Sequence, residues 1–78
     1  VAVARCESGL GTHPATHDVS RAHAGVFQLS RNDYAELFER EYGWSWYDVV
    51  TDDATNVAAA YVVYGRWGDT FAAWSCRP

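Results

Sequence analysis

The chain has 78 residues, enough for one domain at the small end of what builds its own core. Apolar residues make up 49% and aromatics 15%, which excludes a disordered polymer. The net charge is −4, with six Arg, no Lys and no basic stripe. That balance argues against a nucleic-acid partner and against an anionic membrane surface. No apolar run is long enough to cross a bilayer.

Residues 1–8, VAVARCES, read as the last turns of a helix, stopped by Gly9 and Gly11. No signal peptide is visible in these residues, and a start inside a helix leads to the expectation that the chain is a fragment or mature part of a longer one. Residues 10–24 are polar, with Pro14 and three His, and form a loop lobe or short hairpin. GVFQLS, residues 25–30, is a short apolar run leading into the second helix. Ser30 is its N-cap, with Asp33 three residues on in a capping-box-like arrangement. Tyr34, Leu37, Phe38 and Tyr42 follow at helical spacing, and Gly43 ends the helix. Ser45 and Asp48 repeat the cap pattern over SWYDVV. Thr51 is expected to cap the next helix, with Asp52 and Asp53 at the positive end of its dipole. Val57, Ala60, Tyr61 and Tyr64 would be its core stripe and Gly65 its end. A last short helix, with Phe71 and Trp74 on one face, closes the chain. The fold class is therefore mostly α, with a polar lobe after the first helix.

Two cysteines, Cys6 and Cys76, lie near the two ends. A bridge between them would close almost the whole chain, a constraint of roughly 4 kcal/mol in the chain-entropy picture. A disulfide implies an oxidising location: secreted, periplasmic or wall-associated.

Glu7 is the first candidate for chemistry. It falls in the last turn of a helix, where the dipole disfavours an ionised carboxylate, and Val3 and Cys6 put apolar surface beside it. Such a position suits a general acid, although it also suits an ordinary carboxylate beside a bridge.

CESG, then a polar loop, then AGVFQLS, then TNVAAAYVVYGRWGDTFAAWSC resembles the lysozyme-like superfamily over nearly the whole chain. The soluble lytic transglycosylase domains, the goose-type lysozymes and the resuscitation-promoting factors are the groups it is most similar to. Their Glu-Ser pair at a helix end matches Glu7-Ser8, and Gln28 follows Glu7 by 21 positions. The resemblance implies a small lysozyme-like catalytic domain over 1–78. It implies that Glu7 protonates the bond between N-acetylmuramic acid and N-acetylglucosamine in peptidoglycan. Ser8 and Gln28 would line the cleft, Asn56 would match the family asparagine, and Tyr61 or Tyr64 would touch Glu7. Asp18 would be the second carboxylate if the outcome were hydrolysis. Transglycosylation needs only one, and it is favoured because no second acid is secure. The partner would be peptidoglycan glycan strands, met by a monomer, alone or joined to a wall-binding module.

Other readings compete. The fold could persist as a non-catalytic wall-binding or virion module. Trp44, Trp46, Tyr47 and Trp67 are either core filler or stacking platforms for sugars, and Trp74 is core. His13, His17, His23 and Asp18 could approach a metal, but His13 and His17 flank Pro14 and there is no HExxH. Cys6 with a histidine could form a thiol nucleophile pair, a role that a disulfide would remove. No metal and no cofactor are expected.

Overall fold

The computed structural model describes residues 2–9, 11, 15–70, 73 and 74. Among these the chain is mostly helical, with a two-stranded sheet placed after the first helix. Helix α1 (Ala2–Ser8) ends where Gly9 turns left-handed at φ 62° and its N–H bonds back to the Arg5 carbonyl at 2.9 Å. Strands β1 (His23–Ala24) and β2 (Leu29–Ser30) pair antiparallel, His23 opposite Ser30 and Ala24 opposite Leu29. The run GVFQLS is thus a hairpin turn plus its returning strand.

Helix α2 (Arg31–Tyr42) has the caps its sequence predicts. The Ser30 hydroxyl accepts from the Asp33 N–H, and Gly43 closes the helix at φ 70°. Trp44 N–H returns to the Phe38 carbonyl, completing a Schellman closure. Helix α3 (Trp46–Thr51) starts on Ser45, whose hydroxyl accepts from Asp48 N–H at 3.1 Å.

Helix α4 (Asp53–Arg66) departs from expectation in three ways. Its N-cap is Asp52, not Thr51: the Asp52 carboxylate accepts from Ala54 N–H and from the Thr55 hydroxyl. Thr51 belongs to α3, where its hydroxyl donates to the Tyr47 carbonyl. The C-terminal end passes through Gly65 to Arg66, and Gly68 takes the left-handed turn. The core face is also rotated. Asn56, Ala59, Ala60 and Val63 are buried, while Val57 and Tyr61 are 51% and 77% exposed. The buried Asn56 orients this face, because its amide must meet main-chain partners below the helix.

The described part of the closing segment, 68–70 with 73 and 74, is not helical. Phe71 and Cys76 lie outside the described residues. Trp74 is buried, as expected, and its indole N–H donates to the Phe27 carbonyl at 2.9 Å. It joins Val3, Leu29, Phe38, Val49, Ala59, Ala60 and Val63 in one apolar core. Elements from both ends of the chain therefore meet at that core, which fixes α1 relative to the hairpin.

Candidate active site

Glu7 sits one residue before the end of α1 and is half-buried. Its helix is held by two devices. Cys6 is disulfide-bonded, so it is not a thiol nucleophile. Ser8 is only 1% exposed, and its hydroxyl lies 2.5 Å from the Val26 carbonyl while accepting from Gly11 N–H at 3.0 Å. Ser8 therefore braces Glu7 against the hairpin turn and does not face solvent beside it.

Gln28 occupies the last position of that turn. Its φ is +52°, a left-handed conformation that non-glycine residues seldom adopt. Gln28 N–H and side-chain Nε2 both donate to the Gly25 carbonyl at 3.0 Å, which offsets the local cost. The side-chain oxygen is left as an acceptor. Gly25, at φ +83°, packs directly on Asn56: a Cβ there would stand 2.0 Å from the Asn56 Nδ2. Asn56 in turn accepts from Phe27 N–H and donates to the Val49 carbonyl, both at 2.9 Å, and is fully buried. It clamps the turn to α3 and α4 from below and does not reach the surface.

Glu7 and Gln28 meet at one depression of about 270 Å³, with His23, Ala73 and Trp74. They meet again at a neighbouring one of about 110 Å³, with Ala15, Thr16 and Arg21. Gln28, His23 and Trp74 continue into a third, walled by Asp33, Tyr34 and Trp67. These depressions share residues, so they form one groove with Gln28 at its centre and Glu7 beside it.

Trp67 is 49% exposed, and its indole N–H donates to the Tyr34 hydroxyl at 2.9 Å, so a polar-tipped aromatic pair stands at one end. Of the four aromatics suggested as stacking platforms, Trp67 lines this groove. Trp44 and Trp46 pack against the core, with Trp46 N–H on the Val19 carbonyl, and Tyr47 is exposed on α3. Tyr61 and Tyr64 line a separate, apolar depression with Phe27, Val57, Ala60 and Trp74. Trp74 is common to that depression and to the one holding Glu7.

Asp18 lies in the exposed loop and lines neither of the Glu7 depressions. The Ser20 hydroxyl at 2.6 Å, then the Ser20 N–H at 3.0 Å, hold its carboxyl below the usual carboxylate range. It is thus an ionised turn residue. His17 pairs with Asp53 at 2.8 Å, joining the loop to the start of α4. His13 lies outside the described residues. Among the described residues no cluster of three or more His, Cys, Asp or Glu gathers in a geometry to hold a metal ion. None of their helices is long and apolar enough to cross a membrane.

Sequence reasoning passed over Thr16 and Arg21 as site residues and treated His23 only as a possible metal ligand. Arg21 closes a turn on the Asp18 carbonyl just before β1 begins at His23, and no periodic signal in the sequence marks that placement. The groove offers two carboxylates, Glu7 near Gln28 and Asp33 in the depression that Glu7 does not line, with an amide acceptor, an imidazole, a guanidinium and an aromatic rim. Such a set can protonate a leaving oxygen and hold a polar polymer. Compared with known protein families, with curated proteins and with solved structures, the chain matches none.

Proposed function

We propose that this chain is a lysozyme-like domain that cleaves peptidoglycan glycan strands as a lytic transglycosylase. The observation that carries the reading is the meeting of Glu7 and Gln28 at the centre of an open groove. Glu7 protonates the glycosidic oxygen between N-acetylmuramic acid and N-acetylglucosamine, and the C1–O bond breaks with oxocarbenium character. The muramyl 6-hydroxyl then attacks C1, and the Glu7 carboxylate takes up the hydroxyl proton. The product end is a 1,6-anhydro sugar. Gln28 holds the substrate through its free acceptor, and Trp67 offers an apolar face for a sugar ring farther along the groove.

The placement of Asp18 removes it as the second carboxylate of hydrolysis, and the groove's other acid, Asp33, lines neither of the Glu7 depressions. An inverting hydrolase holds a water between two carboxyl groups about 6.5–9.5 Å apart, and Asp18 is tied into a turn outside the Glu7 depressions. The disulfide at Cys6 fits a location outside the reducing cytosol.

The test is incubation with purified sacculi and mass spectrometry of the released muropeptides. Anhydro ends are expected. Glu7→Gln should lower release by about 10²–10⁴-fold, the usual worth of a positioned proton donor, with the fold unchanged by circular dichroism. Reducing ends would replace transglycosylation by hydrolysis. Binding without release would make the domain a wall-binding or virion module.

A further inference from the structure

We propose that the outward face of α4 is a self-association surface, on which a second copy of this chain packs antiparallel. This face is not the groove, and the inference does not depend on what the groove cleaves.

Helix α4 carries charge only at its ends, on Asp53 and Arg66. Every residue between them is uncharged. A helix facing water normally carries charges along that face, as α2 does with Asp33, Glu36, Glu39, Arg40 and Glu41. The outer face of α4 instead shows Val57 and Tyr61, both strongly exposed. These two residues border the apolar depression of about 260 Å³ that Tyr64, Phe27 and Trp74 complete. A contiguous apolar patch of this kind marks a surface that a partner covers.

The spacing identifies the partner. Ala54, Ala58, Tyr61 and Gly65 stand four, three and four apart, the seam spacing of two packed helices. Ala54, Tyr61 and Gly65 are exposed, and Ala58 is half-buried. Gly65 lies within the helix, and a Cβ there would meet nothing within 4 Å. Among the described residues no packing calls for this helix-weakening residue, whereas the close approach of a second helix does.

The seam is also its own complement. Turned end for end, it sets Ala54 against Gly65 and Ala58 against Tyr61 of the second copy. The bulky Tyr61 thus lies over the small Ala58, beside Val57, a wall of the depression. A surface that complements itself is what a twofold dimer requires. The same register brings Asp53 level with Arg66 of the second copy and sets the helix dipoles in opposition. The chain carries a net charge of −4, and α4 is a helix whose own residues bring no like charges together. A face about 21 Å long and one helix wide covers less than the roughly 800 Å² per partner of a stable interface. The dimer is therefore weak, with a Kd on the order of 10⁻⁴ M.

The test is sedimentation equilibrium of the whole chain from about 10 μM to about 1 mM. The weight-average mass is expected to rise from 8.7 kDa towards twice that value. Tyr61→Glu and Tyr61→Arg should each weaken association by about tenfold or more, because the twofold sets the two introduced charges side by side. Mixed in equal amounts, these two variants should associate again. Ala54→Glu combined with Gly65→Lys suits the α4 dipole, so the helix is kept, as circular dichroism should confirm. That double variant should tighten the dimer a few-fold, through ion pairs between positions 54 and 65. A chain that stays at 8.7 kDa up to about 1 mM overturns the proposal and leaves the face to a different protein. Association that survives Tyr61→Glu overturns it by placing the contact elsewhere. A double variant that associates less well overturns the antiparallel register.

Discussion

The two halves of this molecule are held together by different forces. On one side α2, α3 and α4 pack Phe38, Val49, Ala59 and Val63 into a dry core, and the helices carry their own caps. On the other side, α1, the polar loop and the hairpin have little regular structure. Val3 and Leu29 anchor them in the same core, and they are further tied down by side chains bonding to distant main chain: Ser8 to Val26, Asn56 to Phe27, Trp46 to Val19 and Trp74 to Phe27. The groove lies on this second side. Apolar packing tolerates small shifts, whereas a hydrogen bond fixes a distance and a direction. A site that must place a carboxylate to within a fraction of an ångström is better served by the second device.

The largest expected effect on stability comes from the dry half. Phe38 is fully buried, and Phe38→Ala should cost about 3–5 kcal/mol, seen as a lowered urea midpoint. For a small domain that is a large share of the total. A cost confined to α2, with the core otherwise intact, would break the contrast between the halves.

Asn56→Ala sharpens it. The substitution leaves the Phe27 N–H and the Val49 carbonyl unpaired, for about 2–3 kcal/mol. Hydrogen exchange should accelerate more at Phe27 and Gln28 than at Leu37 and Phe38. Uniform acceleration would mean that the hairpin has no stability separate from the helices.

A smaller effect separates two neighbouring residues. Asp52→Ala removes the α4 cap and should cost about 1 kcal/mol by thermal unfolding. Thr51→Ala should cost less, because the Thr51 hydroxyl serves only a carbonyl inside α3. Equal costs would return the cap to Thr51.

The smallest effect is at Asp18. Its folded-state carboxyl titrates below the usual value of an unfolded aspartate, so the turn is supported above that value. The support is lost as pH falls through the lower, folded value. Asp18→Asn should therefore flatten the acid limb of a stability-against-pH curve slightly, with no change near neutrality in the sign of that slope. Muropeptide release should be unaffected. A large loss of release would restore Asp18 as the second carboxylate.

Much of the helical half was readable in the chain itself. Ser30 with Asp33, Ser45 with Asp48, and Gly43 all do what their positions predict, because a cap is decided by residues three or four apart. The end of α1 at Gly9, with Glu7 just before it, was legible for the same reason. Local signals failed where two neighbours competed for one role: Thr51 and Asp52 for the α4 cap, Gly65 and Gly68 for its end.

What the sequence by itself determined is a mostly helical chain with a polar lobe after α1, a carboxylate at a helix end, and a terminal cysteine at a bridge. Only the tertiary structure decided which face of α4 is core. Periodicity there favoured Val57 and Tyr61, and the buried amide of Asn56 turned the helix away from them. The same packing put Ser8 and Asn56 inside as braces and brought Glu7, Thr16, Arg21 and Gln28 to one groove. The bonds responsible join residues 18, 29 and 47 positions apart. No pattern of period 2 or 3.6 encodes such separations, because each partner is chosen by the fold and not by its neighbours in the chain.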